Sequence, residues 1–191
     1  MRNRFLALVL VILFSTMIGG CGQKEDATSA EDLVYDSSET NEKLTEEEKM
    51  KFVDRGIKLG RNEFYIENLY ASGNETISKE EYAKYTEKKQ QWEEKKTVES
   101  LIELANITEK ITGKSSFAEI PPKEILQLID ESIELGRDMS KIEERYESEE
   151  HGGIKEEDYH YFENSKKMWE EQKIQRVLNS LEYNITKIKE S

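Results

Sequence analysis

Several residue types are scarce in this chain of 191 residues, and each scarcity excludes a class of protein. The single Cys excludes an internal disulfide framework and a Cys-rich zinc site. Two His leave little for histidine-based metal binding or acid–base chemistry, and two Pro favour helix over strand in a Glu- and Lys-rich chain. Positive charge is also in deficit, with a formal net charge of −13. Because nucleic-acid backbones are bound by basic patches, we expect no nucleic-acid partner.

The only long apolar run lies at the N-terminus, after the cationic segment Met1-Arg2-Asn3-Arg4. It extends from Phe5 to Ile18 and is shorter than the ~20 residues that a spanning helix needs. The run ends in Ile18-Gly19-Gly20-Cys21, which resembles the lipobox of bacterial lipoproteins. The resemblance implies that residues 1–20 are a signal peptide, that cleavage precedes Cys21, and that Cys21 is acylated. The alternatives are an uncleaved signal anchor or a free structural Cys.

Lipidation of Cys21 would make the lipid bilayer the first partner of the protein, because two or three acyl chains anchor a protein stably. We therefore expect an extracytoplasmic position on the cell membrane. Abundant Lys and Ile with little Arg or Pro favour a Gram-positive source. Removal of the signal takes away Arg2 and Arg4 but no acid, so the formal charge changes from −13 to −15. Such a surface repels anionic lipid.

The remaining chain divides into a linker and a duplicated domain. Residues 21–43 start with the lipidated Cys and are otherwise dominated by small polar and acidic residues, which predicts a flexible linker. Residues 44–191 contain two repeats, at about 44–113 and 120–191. Residues 52–74 and 128–150 are identical at 9 of 23 positions, and residues 77–111 and 154–188 at 12 of 35. The first segments are offset by 76 positions and the second by 77.

Each repeat predicts one long helix, a short break and a second long helix, because apolar residues recur at helical spacing on both sides of a polar break. In the first repeat, Ser78 and Glu81 have the spacing of a capping box at the second helix. Small residues at 56 and 60, and again at 132 and 136, indicate a close helix crossing. The predicted fold is all-α, an antiparallel four-helix bundle in which two helical hairpins pack with pseudo-two-fold symmetry.

The candidate sites are residues that occur in both repeats. Arg61, Arg137, Tyr82 and Tyr159 form either an ion-pair cluster across the repeats or a polar ligand pocket. Trp92 and Trp169 lie in strongly charged segments, and they either pack in the core or form an exposed interaction surface. The sequence predicts no metal centre. The weak candidates for a calcium loop are four residues of the second repeat: Glu147, Glu149, His151 and Asp158.

No complete set of nucleophile, base and orienting group occurs in both repeats. The sequence therefore indicates neither an enzyme nor a cofactor. The leading interpretation is a membrane-anchored surface lipoprotein that acts as a non-catalytic binding or interaction module at the bacterial cell envelope. Its partner would be an envelope protein or a wall component. The alternative is a lipoprotein that binds a small ligand or a cation such as calcium.

Overall fold

The computed structural model describes residues 43–191, and residues 1–42, with the lipobox and nearly all of the linker, lie outside the described residues. Between residues 43 and 191 the chain is helical and contains no strand, which confirms the all-α class. The helices are α1 (Glu46–Ala71), α2 (Lys79–Lys95), α3 (Val98–Thr112), α4 (Leu126–Glu147), α5 (Glu156–Glu171) and α6 (Gln175–Lys189). Short 3-10 turns occupy Lys123–Ile125 and Glu149–Gly153. None of the described helices is both long and apolar enough to cross a membrane.

Local sequence signals begin the helices of the first repeat. At α2, the Ser78 hydroxyl accepts a hydrogen bond from the Glu81 N–H at 3.2 Å, and the Glu81 carboxylate accepts one from the Ser78 N–H at 3.1 Å. This reciprocal pair confirms the predicted capping box. Thr45 and Glu48 form the same arrangement at the start of α1. Each box satisfies donors that the first helical turn cannot pair internally.

The second half of each repeat differs from the predicted single long helix. After α2, Lys96 adopts a left-handed conformation (φ 48°, ψ 45°), and Thr97 begins α3. The Thr97 hydroxyl accepts a hydrogen bond from the Ser100 N–H at 3.2 Å, so α3 has a cap of its own. The second repeat has a helix break at the equivalent position, where α5 ends at Glu171 and α6 begins at Gln175. Residues 43–191 therefore form six α-helices, and the predicted count of four is wrong.

Helices α1 and α4 make the main contact between the two repeats. Gly56 faces Ser132, and further along both helices Asn68 Nδ2 donates a hydrogen bond to Glu144 at 2.8 Å. Each pair is separated by 76 positions in the sequence, so the two helices advance together in the same direction. The predicted antiparallel bundle is therefore wrong for this central pair.

The predicted close crossing of α1 and α4 is confirmed. A Cβ added to Gly60 would lie 1.9 Å from the carbonyl oxygen of Ile133. A Cβ added to Gly136 would lie 2.1 Å from the carbonyl oxygen of Ile57. Both distances are far inside van der Waals contact, so only glycine lets the two backbones approach this closely.

Two apolar cores lie on either side of the crossing, and each central helix contributes to both. Phe52, Leu59 and Ile66 of α1 pack in the core of the first repeat, whereas Met50, Val53 and Ile57 pack in that of the second. Helix α4 is divided in the same way. Its Ile129 and Ile133 belong to the first core, and its Met139 and Ile142 belong to the second. Because neither core is complete without the other repeat, we expect the repeats to fold together.

Candidate functional site

The breaks in the second halves of the repeats carry ion pairs between the repeats. Lys96, at the break between α2 and α3, contacts the carboxylate of Asp130 on α4 and lies 4.7 Å above the Trp92 ring. Lys173, at the break between α5 and α6, lies 3.6 Å from the carboxylate of Asp54 on α1. Each break therefore reaches the central helix of the opposite repeat. These pairs are partly exposed, so each contributes less than about 1 kcal/mol to stability.

Arg61 lies beside the central crossing and pairs with a carboxylate of the other repeat. Its Nη1 and Nη2 donate hydrogen bonds to the two oxygens of Glu143 at 3.1 and 2.8 Å. Lys166 of α5 donates to the same carboxylate at 2.8 Å. Burial acts to raise the pKa of Glu143, but the hydrogen bonds from Arg61 and Lys166 outweigh it and hold the pKa below its ordinary value. Glu143 is therefore ionised at neutral pH and fully paired.

Arg137, the counterpart of Arg61, pairs with a carboxylate that is far more deeply buried. Its Nε donates a hydrogen bond to Glu63 Oε2 at 2.8 Å, and its Nη2 lies 2.6 Å from the same oxygen. Glu134 on the same helix contacts Nη1. The side chain of Glu63 has no solvent exposure, and its Oε1 has no hydrogen-bond partner. Burial raises the pKa of Glu63 to about 7, against the opposing charges of Arg137 and Lys89.

A second carboxylate of α1, Glu67, extends this polar cluster toward α2. The Tyr85 hydroxyl donates a hydrogen bond to Glu67 Oε1 at 2.9 Å, and Lys89 Nζ donates to the same oxygen at 2.5 Å. Burial acts to raise the pKa of Glu67, but these two donors lower it below its ordinary value. Burial and the nearby carboxylates Glu63 and Glu67 raise the pKa of Tyr85, which therefore stays protonated.

The polar cluster occurs in the first repeat alone among the described residues. The positions equivalent to Glu63 and Tyr85 are Met139 and Phe162, and both are buried in the apolar core of the second repeat. The pair formed by Glu67 and Lys89, in contrast, has a direct counterpart in Glu143 and Lys166. A comparison of the repeats by sequence alone could have found this asymmetry.

The two candidate tyrosines lie in the hairpins, away from the arginine pairs. Tyr82 stacks on Tyr70 with ring centroids 3.6 Å apart, and Tyr159 stacks on Tyr146 with centroids 3.5 Å apart. A shallow depression of about 640 Å³ at the second hairpin is lined by Tyr146, Glu156, Glu157, Tyr159, His160 and Glu163. It includes neither arginine and only one of the two candidate tyrosines. The structure therefore does not assemble the predicted pocket of both arginines and both tyrosines. The arginines already pair with carboxylates, and the tyrosines already stack on other tyrosine rings.

Of the two alternatives for the tryptophans, the structure supports packing in the core and not an exposed surface. Trp92 is 1% exposed and Trp169 is 2% exposed, and each packs in the core of its own repeat. The charged residues around each Trp face outward while the indole faces inward, as the spacing of an amphipathic helix allows. The indoles are therefore core residues and not the interaction surface.

The four weak calcium candidates do not converge on one point. Asp158 is buried and pairs with Lys187 at 2.7 Å. The His151 ring stacks on the Tyr146 ring, and its Nδ1 lies at hydrogen-bond distance, 3.0 Å, from the backbone carbonyl oxygen of Tyr146. Glu147 and Glu149 are exposed at the end of α4 and in the following turn. Within residues 43–191, no group of three or more His, Cys, Asp or Glu side chains could hold a metal ion.

Sequence reasoning missed an exposed aromatic face on the second repeat. Tyr161 of α5 is 49% exposed and Tyr183 of α6 is 68% exposed. Lys187 Nζ lies 5.8 Å from the centroid of the Tyr161 ring, and Tyr183 precedes Lys187 by one helical turn, so the three side chains share one surface. The exposed Met168 lies two turns after Tyr161 on the same side of α5. We call these four residues the α5–α6 face.

The equivalent surface of the first repeat is polar. The counterparts of Tyr161, Met168 and Tyr183 are Lys84, Gln91 and Asn106, and only Lys187 has an identical counterpart, Lys110. The aromatic character of the α5–α6 face is therefore specific to the second repeat.

No family model, no curated protein and no solved structure matches this chain.

Proposed function

We propose that this protein is a lipid-anchored, non-catalytic interaction module at a bacterial cell envelope, and that the α5–α6 face binds an envelope protein. The single observation that carries the binding role is the exposure of Tyr161 and Tyr183 around Lys187. Aromatic residues are enriched where proteins bind one another, and exposed apolar surface marks such sites.

The difference between the repeats supports this choice of surface. Single exposed apolar residues are common, but a group of them on one surface is costly to solubility and adds little to the stability of its own helices, so the group calls for a reason. The first repeat builds the same two-helix unit with Lys84 and Asn106 at these positions, and both are exposed. The tyrosines are therefore not required by the fold of the repeat, which favours a role in binding.

The proposal also includes a pseudo-two-fold relation between the repeats. Three kinds of contact support it, each occurring twice at equivalent positions. The contacts are Gly60 with Ile133 and Gly136 with Ile57, Lys96 with Asp130 and Lys173 with Asp54, and the Tyr70–Tyr82 and Tyr146–Tyr159 stacks. Such an arrangement would make the repeats a rigid support for one outward surface.

The membrane anchor rests on the lipobox resemblance at Ile18-Gly19-Gly20-Cys21. It is tested by replacing Cys21 with Ser and separating membranes from soluble material in the source cells. We expect the wild-type protein in the membrane fraction and Cys21→Ser outside it. Membrane association of Cys21→Ser that resists washing with high salt would refute the lipid anchor.

The binding surface is tested by chemical crosslinking on intact cells with the double variant Tyr161→Lys/Tyr183→Asn, which copies the first repeat. Tyr65→Asn, an exposed tyrosine on α1, is the matched control. We expect a crosslinked partner with wild type and with Tyr65→Asn, and at least a tenfold loss with the double variant. A partner that the double variant retains in full would contradict the assignment of this face, and transfer of the crosslink to wall polymer would contradict the choice of a protein partner.

A further inference from the structure

The cluster around Glu63 has no role in the proposed binding surface, and its chemistry is unusual for a small helical domain. Glu63 is fully buried between α1 and α4, and only one of its oxygens is hydrogen-bonded. A buried carboxylate with an unpaired oxygen is costly in its charged form. At the equivalent position of the second repeat, Met139 packs in the apolar core. The fold of the repeat therefore does not require a carboxylate at this position.

We propose that Glu63 is a proton-operated switch between the two repeats. When Glu63 is deprotonated, its charge ties α1 to Arg137 of α4. When Glu63 takes up a proton from solvent, that charge is lost, and Arg137 keeps only Glu134, a residue of its own helix, as an anionic partner. The ion pair between Arg137 and Glu63 is therefore formed in alkaline solution and lost in mildly acidic solution, although burial makes the charged form of Glu63 the less favourable one in the folded protein.

The groups that surround Glu63 determine the pH at which the switch operates. Arg137 from α4 and Lys89 from α2 favour the charged form, whereas Glu67 of α1 and burial favour the neutral form. Tyr85 of α2 remains protonated and bonds Glu67. Burial is the largest of these influences, and the balance raises the pKa of Glu63 to about 7. A domain outside the cytoplasm would be exposed directly to external pH changes in this range. The switch itself does not depend on the proposed membrane anchor.

The sign of the effect on stability follows from the raised pKa. Between the ordinary carboxyl value of 4.5 and about 7, the folded state holds a proton at Glu63 that the unfolded state has lost. The contribution of Glu63 is therefore fully present below 4.5 and is lost as the pH rises through about 7. Integrated over that interval, the unfolding equilibrium constant rises by about 2.5 powers of ten through this one residue.

The experiment follows the ¹⁵N chemical shift of Arg137 Nε by NMR, using the full chain in detergent, between pH 5 and 8. We expect one transition near neutral pH in wild type, no transition in Glu63→Gln, and an unchanged transition in the matched control Glu143→Gln. The Arg61 side-chain signals should stay constant in wild type over this range, because Glu143 remains ionised.

A flat Arg137 signal in wild type, or a transition that persists in Glu63→Gln, would overturn the proposal. Should Glu63→Gln fail to fold, the ¹³C signal of the Glu63 carboxyl in wild type gives the same decision, since it must titrate near neutral pH. A Glu63 carboxyl that titrates only below pH 5 would also refute the switch.

Discussion

In the first repeat, Glu63 and Tyr85 bring polar groups into the core, whereas the second repeat has Met139 and Phe162 at the equivalent positions. On the outside the difference is reversed, because the second repeat exposes Tyr161 and Tyr183 where the first has Lys and Asn. Two contacts between the repeats, in contrast, occur in both directions: the close glycine crossing and the Lys–Asp ion pairs. The comparison indicates that the shared interface is constrained in both copies, while the interior of one and the surface of the other have become specialised.

The largest expected effect comes from breaking the shared interface. Gly60→Ala and Gly136→Ala should each lower the free energy of unfolding by about 3 kcal/mol, because the new Cβ would collide with a backbone carbonyl that cannot rotate away. Urea denaturation followed by circular dichroism measures both. Gly113→Ala is the control, since nothing lies within 4 Å of its Cβ position and only its positive φ costs about 1–2 kcal/mol. Unequal effects of Gly60→Ala and Gly136→Ala would contradict the equivalence of the two contacts.

The paired carboxylate of the second repeat should give the next largest effect. Glu143→Gln should lower the free energy of unfolding at pH 7 by about 1–3 kcal/mol, because it removes the negative charge that Arg61 and Lys166 share and replaces one of the two acceptor oxygens with an amide donor. A lowered folded-state pKa means that this stabilisation is present above the ordinary value of 4.5 and is lost as the pH falls below it. The difference between Glu143→Gln and wild type should therefore shrink at pH 3.

Exposed Glu147 supplies the control for this prediction. Glu147→Gln, one turn further along α4, should unfold like wild type at both pH values. If Glu143→Gln remained equally destabilised at pH 7 and pH 3, the charge of Glu143 would not be the cause.

Removing one hydroxyl group tests the polar cluster of the first repeat. Tyr85→Phe copies the aromatic residue of the second repeat and should cost about 1 kcal/mol, because Glu67 loses one of its two hydrogen-bond donors. Thermal unfolding at pH 7 measures the change, with Tyr65→Phe on the exposed side of α1 as the control. An unchanged melting temperature for Tyr85→Phe would mean that the buried hydrogen bond adds nothing to the fold.

The smallest expected effect lies in the turn between α4 and α5. Glu150 has a positive φ of 54°, a conformation that favours glycine. Glu150→Gly should therefore raise the free energy of unfolding by about 1 kcal/mol, measured by urea denaturation. Glu149→Gly, which replaces a neighbour without positive φ, should have the opposite sign. Destabilisation by both variants would show that the left-handed turn stores no strain.

The sequence predicted the helical class, the repeat and the glycine crossing, because periodicity, duplication and small-residue spacing are local signals. It did not predict the break after Lys96, since the residues around it have ordinary helix propensity and only the short cap at Thr97 marks the new start. The outward direction of Tyr161 was not predicted, and the sequence left the direction of Trp92 open between core and surface. Both residues lie among charged neighbours, and the rotation of each helix against its core decides which side chain is buried.

The most direct test of the account compares one position in the two repeats on living cells. A photo-crosslinking phenylalanine analogue is placed at Tyr183 on the α5–α6 face or at Asn106, the equivalent exposed position of the first repeat. We expect irradiation-dependent adducts with one defined envelope protein at position 183 and none at position 106. Equal adducts at both positions, or none at position 183, would contradict a binding surface confined to the second repeat.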